Sequence, residues 1–438
     1  MRYSLVHLST QEIPVNSLQI GMYVSRLDVP WVQTPFPIQG FHITKKEELD
    51  QLALYCNKVF IDRYLSKVDV KSSLSLSPKK PAEKDLLDEK TKRLMNEKAR
   101  FKPAVENYIT SSKLRKEVNK ATQLYDQVSG KMSVVFRDMV KNGYVNISEV
   151  RAASTEMVKS VVRNPDALAW LCRISEDNRA LHEQAVRSAI WGIIFARHLG
   201  LSRHDLRDIG TALLLAPIGK SKLPKELLYG KLNAEETRLY EGHISLTLEE
   251  TEKMFSPSHQ VNYILSSYCE RNNGSGYPRN LVGNRIPFLA RVTGLAQYYE
   301  ELINPLPGKE ALTPVEAVSN LYNERGNLFQ HEMVEAFIKA IGIYPTGSLV
   351  KLTNSSIGVV LEQPEKSRLR PKVVIIKDSM NVILDKPKVV ILSDNPTDRF
   401  GMPLQIEKSL KSTSIDIDSR ALHQKLFSGN NWFSFFSV

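Results

Sequence analysis

The chain has only three cysteines in 438 residues, Cys56, Cys172 and Cys269. They are widely spaced and odd in number, which excludes a disulfide framework and fits a reducing compartment. Long apolar runs are also missing. The stretch Ala189 to Ala196, bounded by Arg187 and Arg197, falls far short of the roughly 20 residues needed to cross a bilayer, and it reads as a buried helix. The N-terminus carries charged and polar residues without an apolar core, so no signal peptide is expected and the chain is expected to stay in the cytoplasm. What is present, 42% apolar and 24% charged residues, belongs to a folded soluble protein of two or three domains.

The net charge is +11. Residues 66–120 hold fifteen Lys and Arg against eight Asp and Glu, so +7 of the excess lies in one stretch. Such a surface attracts nucleic acid, anionic lipid or a nucleotide messenger. A solvated face on a connecting helix explains it as well, and association with nucleic acid or acidic lipid is the weaker expectation.

Residues 1–65 read as a small α+β domain. Met22–Asp28 alternates as a strand, Lys45–Cys56 has helical spacing, and Lys58–Asp62 is again extended. Residues 66–83, rich in Ser, Lys and Pro, read as a flexible linker. Basic connecting helices follow over 84–147. There Leu114, Val118, Ala121, Tyr125, Val128, Met132, Val135 and Met139 form a heptad seam, which suits a homodimer through 114–139 as well as packing within the chain. Gly130 inside it weakens the case for one unbroken helix.

Residues 148–345 read as about eight helices. Asn233 to Glu236 and Thr313 to Glu316 are capping-box starts, and Gly200 is placed to end the helix that contains His182. After Tyr344-Pro345 the period becomes two, giving strands at Ser348–Thr353, Ile357–Leu361, Lys372–Lys377 and Lys388–Leu392 in a β-rich extension over 346–400. In the tail, 401–438, the aromatic run Asn431 to Phe436 is expected to dock on a domain surface.

The most informative string is Glu270-Arg271-Asn272-Asn273-Gly274-Ser275-Gly276-Tyr277-Pro278, an exposed turn after a helix. Together with Leu213 to Lys220, and with His182 and His243 on separate helices, it resembles the HD-GYP family in order and spacing. The fold implied is mainly α: an HD-type all-helical domain preceded by a small α+β domain and followed by a short β-rich extension. Active members are, by that resemblance, cyclic di-GMP phosphodiesterases with two or three Fe or Mn ions. A bridging carboxylate and imidazoles hold the metals, which activate water and neutralise phosphoryl oxygens.

At the family's His-Asp pair this sequence has Ala216 and Pro217. The paired histidines before the loop's Glu are Tyr268 and Cys269, the later aspartate is Gln297, and a further carboxylate is Asn178. His182 and His243 remain as vestigial ligands. Each also reads as a core histidine, His182 sharing a face with Val186, Ala189 and Ile193. Cys269 could complete a zinc site with them if all three converge. Lys220 stands at the family's phosphate-contacting lysine, or snorkels from the end of its helix. Lys309 is the cation left in the segment that follows Asn304.

The expected function is therefore a catalytically inactive HD-GYP signalling protein, a scaffold, receptor or regulator in cyclic di-GMP signalling, with Lys220 and Glu270 vestigial and no cofactor. Nucleotide or partner docking is expected at Lys220, Gly274, Gly276, Tyr277, Pro278 and Lys309. The partners are GGDEF-domain or other signalling proteins, with cyclic di-GMP itself a candidate ligand. The alternative is a phosphodiesterase with a rebuilt metal site using His182, His243, Cys269 and Glu270.

Overall fold

The computed structural model describes residues 10–28, 41–62, 66, 68, 106–174, 180–229, 231–253, 260–364, 370–411 and 419–427. Asn178, the aromatic run 431–436 and nearly all of the linker and basic stretch before residue 106 lie outside the described residues. The chain divides into two compact units, Met1–Glu106 and Asn107–Val438.

In the first unit the strands β1 (Thr10–Pro14), β2 (Tyr23–Leu27), β3 (Phe41–His42) and β4 (Lys58–Asp62) form an antiparallel sheet ordered β1-β4-β2-β3. Alternation puts Ile13, Val24, Val59 and Ile61 into one core with Leu52 of helix α1 (Lys46–Tyr55). Glu48 starts that helix by accepting from the backbone N–H groups of Thr44 (2.6 Å) and Lys45 (3.1 Å), which satisfies donors the first turn leaves open.

The second unit is led by α2 (Leu114–Asn142), unbroken through Gly130, whose Cα faces open space. All eight seam residues are buried, and α2 packs against α3 (Ile147–Arg163), α4 (Pro165–Ile174) and α5 (Leu181–His198) of its own chain. Of the two arrangements that suit the seam, packing within the chain is the one seen here. Buried Glu117 fixes α2 to α3 through the Arg163 guanidinium at 2.6 Å.

Helix α5 is buried on every side from Glu183 to Ala196, as expected of a helix at the centre of a bundle. It packs on α6 (Arg203–Leu215) and α10 (Phe288–Ile303). A Cβ at Gly192 would stand 2.3 Å from Leu213 Cδ1, so the close approach of α5 and α6 requires glycine there. Gly200 follows α5 at φ +70°.

The remaining helices are α7 (Ala234–Glu241), α8 (His243–Glu252), α9 (Gln260–Leu265), α11 (Pro314–Asn323) and α12 (His331–Ile341). The anticipated capping boxes hold: Asn233 caps α7 and Thr313 caps α11. The β-rich extension is an antiparallel sheet ordered β8-β7-β6-β5-β9, from β5 (Leu349–Leu352), β6 (Ile357–Glu362), β7 (Lys372–Lys377), β8 (Ile383–Ile391) and β9 (Ile406–Leu410). Because β9 pairs with β5, the extension continues past residue 400.

Helix α13 (Ser419–Phe427) docks on α2 and α4. The Trp170 indole N–H, which can only donate, gives its proton to His423 Nδ1 at 3.1 Å. His423 Nε2 therefore carries the ring proton and donates to Thr122 Oγ1 at 3.3 Å. The Thr122 hydroxyl in turn donates to the Val118 carbonyl at 2.8 Å. The imidazole is held neutral in a single tautomer.

Candidate functional site

Helix α6 ends at Leu215 and the chain continues as a 3-10 segment, Ala216–Lys222, against the start of α8. Gly219 makes that approach feasible, since a Cβ there would stand 2.0 Å from the His243 carbonyl oxygen. The contact places Lys220 beside His243, and both are buried.

His243 is fully enclosed. Its Nδ1 lies 2.7 Å from the Tyr240 carbonyl oxygen, an acceptor only, so Nδ1 bears the proton. Nε2 is left as an acceptor and takes a hydrogen bond from the Tyr268 hydroxyl at 3.1 Å. Tyr240 and Tyr277 flank the ring at centroid distances of 5.1 and 5.8 Å. Burial, reinforced by the Lys220 charge, pushes the imidazole down to about 3. It is neutral near pH 7 with both nitrogens engaged.

Lys220 is 3% exposed and its Nζ lies 2.8 Å from Glu301 Oε1 and 5.3 Å from the centre of the Tyr240 ring. Burial pushes the ammonium down, but the adjacent Glu301 carboxylate prevails and holds it well above the ordinary lysine range. Burial pushes Glu301 up, and Lys220 overrides that to leave it below the usual carboxylate range. Lys220 thus neither snorkels nor caps; it is half of an ion pair. Glu301 also lines a cavity of about 70 Å³ with Tyr240, Leu227, Leu306 and Lys309.

The Gly-Tyr-Pro loop is held by its own residues. The buried Glu270 carboxylate accepts from the backbone N–H groups of Arg279 (2.8 Å) and Leu281 (2.9 Å), closing the turn with charge-assisted bonds. A Cβ at Gly276 would fall 2.2 Å from Arg271 N and 2.4 Å from Glu270 Cα. Gly274 adopts φ +81°, which favours glycine, and Asn280 donates from Nδ2 to the Gly276 carbonyl at 2.6 Å. The peptide bond from Tyr277 to Pro278 is cis. Pro278, Arg279 and Asn280 are exposed. Cys269, just before Glu270, is buried, and burial pushes its thiol up.

His182 has contacts of its own. It opens α5 with its ring 6.5 Å from Phe136 and its Nε2 3.9 Å from Glu183 Oε1, one-fifth exposed. Burial pushes it below the ordinary histidine range. Among the described residues no three His, Cys, Asp or Glu side chains gather closely enough to hold a metal ion. The donor chemistry points the same way. Ala216 and Pro217 offer no side-chain donor, the phenol of Tyr268 covers the one lone pair on the His243 ring, and Glu270 is engaged in the loop. The zinc arrangement expected of Cys269 with His182 and His243 does not assemble, and these residues do not fit a two- or three-metal centre.

Two features escaped the sequence reading. One is Glu301, the partner of Lys220, one turn after Gln297 on α10. The other is a buried polar network beside His182. Arg187 read as the polar boundary of an apolar run, yet it is fully buried, its Nε 2.5 Å from Glu300 Oε1. Glu300 also accepts from Trp191 Nε1 (3.0 Å) and Asn304 Nδ2 (2.9 Å), and burial, opposed by Arg187, pushes its carboxyl up. Glu183 accepts from the hydroxyls of Tyr125 (2.8 Å) and Ser129. A charged residue amid an apolar helix was the available signal, since such groups are almost never buried without a partner.

Known proteins match parts of this chain. Residues 172–333 match the HD domain family and residues 10–150 match a domain of unknown function, DUF3391. The matched HD domain falls inside residues 148–345, the region that holds the Gly-Tyr-Pro loop. The chain is 28% identical to a cyclic di-GMP phosphodiesterase of Pseudomonas aeruginosa over 89% of this chain and 91% of that protein. It is also 34% identical to the cyclic di-GMP phosphodiesterase response regulator RpfG of Xanthomonas campestris, over 35% of this chain and 41% of that one. A solved HDG"Y"P protein of Bdellovibrio bacteriovorus aligns at a TM-score of 0.43 and 15% identity, covering 75% of this chain and 98% of that chain.

Proposed function

We propose that this chain is a non-catalytic HD-GYP protein of cyclic di-GMP signalling, working in the cytoplasm without a metal cofactor as a receptor, scaffold or regulator. The observation that carries this reading is the state of His243: one nitrogen donates to a backbone carbonyl, the other accepts from Tyr268, and the adjoining positions are alanine and proline. No clustered ions would then be available to activate water on a phosphodiester. The Gly-Tyr-Pro loop, closed by Glu270 on the backbone of Arg279 and Leu281, would present Pro278, Arg279 and Asn280 to a partner such as a GGDEF-domain protein. Lys309 borders the cavity and Lys220 pairs with its Glu301, which makes these two the candidate cations for a phosphodiester ligand.

A second reading, a phosphodiesterase with a rebuilt site, is favoured by the Pseudomonas relative, a cyclic di-GMP phosphodiesterase that this chain matches over 89% of its length. Incubating the purified protein with cyclic di-GMP and Mn(II) or Fe(II) separates the two. The expected result is no linear product above a protein-free control and fewer than two transition-metal atoms per chain. Product whose formation falls on His243→Ala establishes the second reading instead.

A further inference from the structure

We propose that the Glu301 carboxylate is a built-in occupant of the anion site at Lys220, and that it sets how tightly a phosphate-bearing ligand binds there. This deepens the reading above and rests on Lys220 as the phosphate contact.

An ammonium that is 3% exposed has few directions in which to meet an anion, and Glu301 Oε1 takes one of them at 2.8 Å. Tyr240 covers another, with its ring centre 5.3 Å from Nζ. Glu301 is unlike the neighbouring Glu300. Glu300 is fully buried among Arg187, Trp191 and Asn304, whereas the Glu301 side chain is one-third exposed and borders the cavity that Lys309 also borders. A phosphoryl group entering that cavity meets a carboxylate before it meets the lysine. It must either displace the carboxylate or accept like-charge repulsion at short range. Lys309, exposed at the rim, steers an anion inward without removing that obstacle.

The spacing along α10 fits this role. Gly294 lies against the Tyr268 carbonyl, with a Cβ there only 2.2 Å from that oxygen. Gln297 and Glu301 follow at steps of three and four, which place them along the same face of a helix. Gln297 is buried, and its carboxamide oxygen has no hydrogen-bond partner among the described residues. The face that meets the Tyr268 and Lys220 cluster thus carries one neutral amide and one carboxylate, and the carboxylate is what disfavours an anion.

Glu301→Gln tests the proposal, because the amide keeps an acceptor for Lys220 while losing the charge. Wild type, Glu301→Gln, Glu310→Gln as a surface charge control and the double variant Glu301→Gln/Lys220→Met are titrated at pH 7 with cyclic di-GMP and separately with inorganic phosphate, with thermal melts as a check on folding. The expected result is an affinity gain of tenfold or more for Glu301→Gln, absent from Glu310→Gln and abolished by Lys220→Met. If Glu301→Gln does not fold, Glu301→Asp, one methylene shorter, is expected to give a smaller gain. A gain for phosphate without any binding of cyclic di-GMP leaves this inference standing and removes the nucleotide reading. Equal binding of cyclic di-GMP by wild type and Glu301→Gln overturns the inference and keeps that reading. A gain that survives Lys220→Met, or no binding of either probe by any variant, also overturns it.

Discussion

The Gly-Tyr-Pro loop and the floor beneath it are built in different ways. In the loop every specialised residue answers a local demand: Gly276 gives way to the backbone of Glu270 and Arg271, Glu270 ties down two backbone N–H groups, and Asn280 closes the turn. In the floor the positions expected to hold donors carry Ala216, Pro217, Tyr268 and Gln297, and Tyr268 and Tyr240 stand against His243, with Tyr277 of the loop on the same ring. The turn is closed largely from within, while Tyr277 packs on His243 and Asn272 and Asn273 bond to Gly326 and Asn327. A Gly-Tyr-Pro string therefore reports the turn, and the chemistry has to be read from the floor.

Substitutions can break or sharpen that comparison, beginning with the largest effect. Gly276→Ala places a methyl within 2.2 Å of Arg271 N and should destabilise the second unit by about 3 kcal/mol or more, measured by chemical denaturation. Glu270→Ala removes two charge-assisted hydrogen bonds in a buried site, a loss of about 3 kcal/mol. Hydrogen exchange should speed up at Arg279 and Leu281, and unchanged exchange there would show that the loop does not depend on the carboxylate. Tyr268→Phe leaves His243 Nε2 without its donor and should cost about 1–2 kcal/mol. If the floor were a working metal site, the same change would instead uncover a ligand and raise metal uptake.

The smallest effect lies away from both regions, at α13. Burial holds His423 below the ordinary histidine range, with Asp126 opposing, so the folded state binds its proton less readily than the unfolded state does. Docking of α13 is fully supported above the unfolded value, about 6.5, and weakens as pH falls below it. Exchange protection of residues 419–427 should decline between pH 7 and 5 while the core of the second unit stays protected. His423→Gln should flatten that dependence.

Periodicity carried most of the architecture. The heptad seam, the capping boxes at Asn233 and Thr313, and the alternation of β5 to β7 depend on local spacing, and each appears where the sequence places it. The seam's partner was not legible, because one apolar stripe fits any complementary helix. The candidate site was legible at His243, Lys220 and the loop, while the Lys220–Glu301 and Arg187–Glu300 pairs were not. Those pairs join residues 81 and 113 positions apart, and nothing within a helical window reveals a partner so distant.

All three thiols are buried. Burial, with Asp28 nearby, pushes Cys56 up to about 12, and burial also raises Cys172 and Cys269. Alkylation proceeds through the thiolate, so a native molecule should resist iodoacetamide at all three positions. Cys56 belongs to the first unit, and Cys172 and Cys269 to the second. Timed alkylation followed by peptide mass spectrometry would thus clock the opening of each unit separately, using reporters the wild-type chain already contains.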